Sequence, residues 1–291
     1  MSNIPDSENG YLLNYQDQEK HRMQMQHDLI KAYMGELILA PISLDQPNLR
    51  ILDSGTFDGT PSLPHLLSLH PSNAPRTQEH QSQKADAKTG CNVALWLRDA
   101  ATLLKAPLLF GTDVSATAFP DPSTLPPNTT LTTQSISDPW PSDWENTFDL
   151  VHQKLVIACL PPPEGREALS RLIALAKPQT GYVQFTEGSL EHLTETQKRK
   201  FPVLARFQAL VAQMLPQLGW NPRPGKLVKE WVGELGCVDV QEHVMEIPIG
   251  AANKDKALGE MAMRNMVETV GNFGEAAKRM STYSSPFYYF L

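Results

Sequence analysis

Residues 48–60 read NLRILDSGTFDGT. The short apolar run of Leu49, Ile51 and Leu52 has the size of a buried strand, and Asp53-Ser54-Gly55-Thr56 reads as the turn leaving its carboxyl end. In an open α/β sheet that is where ligands bind, because backbone N–H groups and helix N-termini converge there. The loop is irregular. Nucleotide loops commonly run G-x-G-x-G or G-x-G-x-x-G, whereas here Gly55 is followed by Phe57 and Asp58 before Gly59. On its own the fragment is weak evidence for a cofactor loop.

Downstream of this strand, residues 70–90 are polar, nearly devoid of large apolar side chains and interrupted by two prolines, the composition of a flexible surface segment. Residues 91–104, CNVALWLRDAATLL, then show an amphipathic helix pattern, and Leu108 to Asp113 forms a second strand that again ends in a carboxylate. A carboxylate closing the strand after the first crossover helix suits a ribose, since it accepts from both hydroxyls. The usual spacing is about 20 residues, yet Asp113 lies 60 residues after Asp53. Setting aside the 34 residues of 57–90 as an insertion leaves 26, a normal value. The other reading of Asp113 is a solvent-exposed residue of a turn.

Further strands are expected at 129–135, 148–154 and 181–188, with a helix at 166–176 between the last two. Strand and helix alternate over 49–188, the signature of a doubly wound, mostly parallel sheet. Helices at 201–218, 224–235 and 251–280 and strands at 238–249 and 286–291 extend it to seven strands. Upstream, residues 15–34 lack Gly and Pro and place Met23, Gln26, Leu29, Ile30 and Tyr33 near one helical face, with Gly35 as a stop. Arg22, Gln26 and His27 lie about one turn apart on that helix, as a solvated face would. The expected organisation is a helical extension or lid over 1–47 and one Rossmann-like domain over 48–291, with an inserted loop at about 57–90.

The totals narrow the function classes. A net charge of −7 argues against a nucleic-acid partner, which needs clustered Lys and Arg; Lys198-Arg199-Lys200 is short and reads as a solvated helix end. No apolar run approaches a membrane span, and the first residues lack a signal peptide's pattern, so a cytoplasmic protein is expected. Cys91, Cys159 and Cys237 have no C-x-x-C spacing, so they read as buried thiols and no metal site is expected.

With these elements placed, the residues resemble a family. Arg22-Met23-Gln24-Met25-Gln26-His27 is similar to R-L-x-x-Q-H, and residues 35–42, GELILAPI, to G-x-L-x-L-A-P-I. Ile51-Leu52-Asp53-Ser54-Gly55-Thr56 matches the front of a cofactor motif whose back is matched by residues 95–101, LWLRDAA. Gly111-Thr112-Asp113-Val114-Ser115, Pro139-Trp140-Pro141, residues 148–155 (FDLVHQKL) and residues 181–187 (GYVQFTE) follow in the family's order. The chain thus resembles a fungal class I S-adenosylmethionine-dependent methyltransferase of the secondary-metabolism type related to LaeA and the UMTA-like enzymes. Two features depart from the pattern: the glycine loop is interrupted after Thr56, and Gln134-Ser135 stands where an acidic residue usually follows the third strand.

The resemblance implies S-adenosylmethionine as cofactor and a small secondary metabolite as methyl acceptor, through O, N or S. It implies that Asp113, with Val114 beside it, holds the ribose and that Gly55, with Asp53 and Thr56, approaches the amino-acid part. Ser135 or Gln134, with Ile136, would meet the adenine, and Tyr11, Arg22 or Gln26 would close over the cofactor. His152, at the end of the fourth strand, is a cofactor contact and the first candidate for a base, with a satisfied structural hydrogen bond as the equal alternative. Glu187 is the second candidate, with a salt bridge as its alternative. The competing function is a cofactor-binding protein that transfers no methyl group, either a pericyclase or isomerase or a LaeA-like regulator.

Overall fold

The computed structural model of the chain describes residues 8–56, 94–114, 116, 119–189 and 192–281. The expected insertion at 57–90 and the last expected strand at 286–291 lie outside the described residues. Helix α1 spans Glu8–Met34, starting earlier than the pattern suggested, and ends where Gly35 takes φ 78° and its N–H reaches back to the Lys31 carbonyl at 3.2 Å. Strands β1 (Arg50–Ser54), β2 (Leu108–Asp113), β3 (Thr129–Thr133), β4 (Leu150–Lys154) and β5 (Tyr182–Thr186) form one parallel sheet in the order β3-β2-β1-β4-β5. Helix α2 (Leu95–Leu103) crosses from β1 to β2, and α3 (Pro162–Ile173), begun by prolines, crosses from β4 to β5. Beyond the sheet come α4 (Glu195–Lys200), α5 (Pro202–Gln217), α6 (Pro224–Glu234) and α7 (Lys256–Ser281).

Alternation along the strands sorts side chains into two layers. Ile51, Leu109 and Leu150 pack with Trp96 and Leu97 of α2 and with Leu37 and Ile38, whereas Leu52 and Val151 pack with Leu169 and Leu172 of α3 and Trp231 of α6. Asp53 therefore follows Ile51 to the α2 side, and Ser54 follows Leu52 to the α3 side. Residues 37 and 39 are tied to the sheet from outside: Gln184 donates to the Leu37 carbonyl at 2.9 Å and accepts from the Leu39 N–H at 2.8 Å. A third core joins α5 to α7 through Phe207, Val211, Met214 and Ala276.

Five strands, not seven, form the sheet among the described residues. Residues 238–249 have the alternating pattern of a strand but make no ladder. Asp239 adopts φ 55°, a left-handed turn that breaks an extended run near its start, and Val238 and Val244 remain more than four-fifths exposed. No helix among the described residues is long and apolar enough to cross a membrane.

Candidate active site

The parallel ladder brings the carboxyl ends of all five strands to one edge. Strand order reverses between β1 and β4, the place where such sheets open a crevice for ligands. There Asp53 faces His152 in register, and His152 Nδ1 donates to Asp53 Oδ1 at 2.7 Å. Both side chains are buried, and the indole of Trp96 lies flat on the imidazole, with ring centroids 3.9 Å apart and planes 6° from parallel. His152 thus sits two residues inside β4 rather than at its end, under α2. The hydrogen bond and the stack fix β1, β4 and α2 to one another.

At the turn, Gly55 and Thr56 both donate their N–H groups to the Thr112 carbonyl, at 2.8 and 2.9 Å, which pins the loop to β2. Gly55 has φ 75°, and a Cβ there would lie 2.5 Å from Val156 Cγ2, so only glycine fits between the turn and the segment after β4. The front half of the motif thus forms a tight turn against β2 and the segment after β4, and the break after Thr56 lies outside the described residues. The back half, Leu95 to Ala101, forms α2 and its buried face.

Several buried polar atoms at this edge have no hydrogen-bond partner: Asp53 Oδ2, Ser54 Oγ, Thr56 Oγ1, Thr112 Oγ1 and Gln153 Oε1. Native interiors leave few such atoms unpaired, so five at adjoining strand ends mark a place that fits a polar ligand. Asp113 closes β2 half-exposed, with its carbonyl accepting from the Gln134 N–H at 2.8 Å, and Val114 beside it is exposed. The Gln134 side chain turns to the Ser135 and Pro139 carbonyls, Ser135 Oγ accepts from the Ser137 N–H, and Ile136 is buried in the α3-side core.

Helix α1 corrects one reading. Arg22 and His27 are not a solvated face: they are 5% and 3% exposed. Arg22 grips Glu19 with two bonds of 2.7 and 2.9 Å, and Glu19 also accepts from Asn272 of α7 at 2.6 Å. The buried Lys154, at the end of β4, donates to His27 Nδ1 at 3.2 Å, so the His27 Nε2 proton points to Asp99 Oδ2 at 3.0 Å. Lys31 reaches the same oxygen at 2.6 Å. Burial alone would raise the Asp99 carboxyl, but the hydrogen bonds from Lys31 and His27 and the charge of Lys31 outweigh it and hold it below its ordinary value. This chain anchors α1 over the end of β4. Gln26 is half-buried on the same helix, and the side chain of Tyr11 lies outside the described residues.

Glu187 stands one residue past β5, on the sheet face opposite His152. Its Oε1 accepts three bonds, from Gln153 Nε2 at 2.9 Å and from the N–H groups of Val156 and Ile157 at 3.0 and 2.8 Å. Among the described residues it is not part of a salt bridge. Burial pushes its carboxyl up to about 7, against the lowering effect of those bonds. The Cys159 thiol on the following turn is also raised, by burial first and by Glu187 second.

The structure thus gathers Asp53, Gly55, Thr56, Asp113, His152 and Glu187 at one edge, while Arg22 is engaged between α1 and α7. Gln153, Lys154 and Asp99 were not singled out from sequence. The signal was a glutamine and a lysine continuing the expected central strand FDLVHQK, where each polar residue requires a partner.

No family model matches the chain. Its sequence is 61% identical over 280 residues to the N-methyltransferase gliN of Aspergillus fumigatus, covering 96% of this chain and 86% of that one. It is 46% identical over 280 residues to the N-methyltransferase sirN of Leptosphaeria maculans, covering 96% and 84%. Against the N-methyltransferase tcpN of Claviceps purpurea the identity is 33% over 258 residues, covering 87% and 78%. Likeness to solved structures is weaker: magnesium protoporphyrin IX methyltransferase from Synechocystis aligns with a TM-score of 0.37 at 13% identity, over 84% of both chains. The fold assignment rests on strand order and register instead.

Proposed function

This chain belongs to the fungal N-methyltransferase family, and from that premise we propose that it methylates a nitrogen of a small secondary metabolite with S-adenosylmethionine as donor. The observation that carries the reading is the set of unpaired buried polar atoms at the carboxyl ends of β1, β2 and β4, gathered at the point where strand order reverses. When bound there, S-adenosylmethionine supplies a methyl group on a sulfonium, a good leaving group. The chain's own work is to orient and to exclude water; alignment of reacting atoms is worth on the order of 7 to 11 kcal/mol, and a dry site favours a reaction that disperses charge.

In this reading Asp113 accepts from the ribose hydroxyls, with Val114 beside it. Gly55, Thr56 and the free oxygen of Asp53 receive the amino-acid end. Ser135 and Ile136 border the adenine, and Gln26 of α1 closes over the cofactor, with residues 1–47 as the lid. The colinear motifs from Arg22 to Glu187 support the finer placement among LaeA and UMTA-like proteins. His152 and Glu187 are the two candidate proton acceptors.

The test is incubation with methyl-labelled S-adenosylmethionine and an extract of the organism that carries the gene. Label in an N-methylated small molecule is expected. A changed product without label would instead identify a pericyclic or isomerising activity, and no change would leave a regulatory protein.

A further inference from the structure

We propose that Glu187 takes the proton lost by the acceptor nitrogen, and that Gln153 is the positioning residue that leaves one oxygen of Glu187 free for it. The inference rests on the nitrogen-methylation reading and names a residue of that same site.

The two oxygens of Glu187 are not equivalent. Oε1 takes all three donors, from Gln153, Val156 and Ile157, whereas Oε2 is buried and has no partner. Three bonds to one oxygen fix the plane of the carboxyl and so the direction of the other. Gln153 is fully buried on β4. Because its Nε2 is committed to Glu187, its Oε1 is held outward from that bond as an acceptor, and it too is unpaired. A folded chain rarely buries two neighbouring acceptors without a donor. The missing donor fits the N–H of a bound molecule.

The location agrees. Val156, whose N–H holds Glu187, is the residue whose side chain fills the space a Cβ on Gly55 would need. Glu187 therefore stands one residue behind the wall of the glycine turn. His152 offers no comparable atom: its Nδ1 is committed to Asp53, its ring is covered by Trp96, and it is 1% exposed.

The step balances. The nitrogen–methyl bond forms as the sulfur–methyl bond breaks, with that bonding pair staying on sulfur. The N–H bonding pair stays on nitrogen, and the proton moves to Glu187 Oε2. The sulfonium charge and the carboxylate charge disappear together, leaving a neutral methylated amine or amide and a neutral carboxylic acid that later loses its proton to water. A carboxyl that burial has brought to about 7 is half ionised at neutral pH, which suits this exchange. Of the groups facing it, the Gln153 amide and the backbone N–H groups of Val156, Ile157 and Ala158 do not titrate. Cys159, on the turn after β4, does, and burial keeps it a neutral thiol.

Two measurements test this. Infrared titration of the protein alone from pH 5 to 9 should show a carboxylic C=O stretch that disappears with a midpoint near 7 and is missing in Glu187→Gln. Single-turnover methyl transfer should rise with pH through the same midpoint in wild type. Glu187→Gln should be slower by about 100-fold or more and lose that rise, while binding S-adenosylmethionine as wild type does. Gln153→Leu should displace the midpoint of the pH profile.

A wild-type carboxyl band that does not titrate between pH 6 and 8, or a Glu187→Gln enzyme with the wild-type rate and profile, would overturn the assignment. The infrared result needs no variant to fold. Wild-type protein that binds the cofactor but labels no nitrogen would overturn the functional reading, and the proposal with it.

Discussion

His152 and Glu187 are both titratable, both held at the carboxyl edge of the sheet, and on opposite faces of it. They differ in how far the chain satisfies them. His152 is closed in by Asp53 and Trp96, so its burial ties β1, β4 and α2 together. Glu187 has one oxygen saturated by three donors and the other left bare in a buried site. The first arrangement is what a core needs from a polar residue, and the second is what a ligand needs from a site. Polarity within a buried strand does not separate the two roles; the count of unmet hydrogen bonds does.

The largest effect that would break this contrast is expected at His152. Replacing it by Leu leaves the Asp53 carboxylate buried without its donor, at a cost of about 3 to 5 kcal/mol, read from urea unfolding at pH 7. A loss under about 1 kcal/mol would mean that the pair holds nothing together.

Next in size is the pH dependence at Glu187. Its folded value of about 7 exceeds the ordinary 4.5, so the folded chain binds this proton more tightly than the unfolded one. The stabilisation is fully present below 4.5 and is lost as pH rises through 7. Thermal midpoints should therefore fall between pH 5 and 8, by on the order of 3 kcal/mol in stability, and Glu187→Gln should remove that part of the slope. An unchanged slope in the variant would assign it to other groups.

The smallest effect sharpens the comparison from the outside. Lys31 is half-exposed at the solvent end of the Lys154–His27–Asp99 chain. Lys31→Ala should cost less than about 1 kcal/mol, because His27 continues to satisfy Asp99. A cost of several kcal/mol would show that the buried part of the chain depends on its exposed end.

Much of the fold was legible because its signals are local. The apolar runs at β1 and β2, the carboxylates closing them, the amphipathic face of α2 and the glycine after α1 all stand within a few residues of what they determine. Two features resisted for opposite reasons. Residues 238–249 alternate as a strand does, but alternation records only that one face is apolar, and here a left-handed Asp239 breaks the run and no ladder forms. On α1, Arg22 and His27 looked solvated because the residues that bury them are distant: Asp99 lies 72 positions from His27, and Lys154 lies 127. The same limit hid the inequality of the two Glu187 oxygens, which depends on Gln153 and a turn some 30 residues earlier. Asp53 and Gly55 were readable as a site, whereas which candidate base is left unsatisfied was not.

Calorimetric titration with S-adenosylmethionine tests the central claim most directly. Wild type should bind one equivalent, and Asp113→Ala should bind about 10- to 100-fold more weakly, the loss of about 1.5 to 3 kcal/mol expected for hydrogen bonds to a charged acceptor. Undiminished affinity in Asp113→Ala, or no binding by wild type, would contradict the placement of the cofactor at this edge.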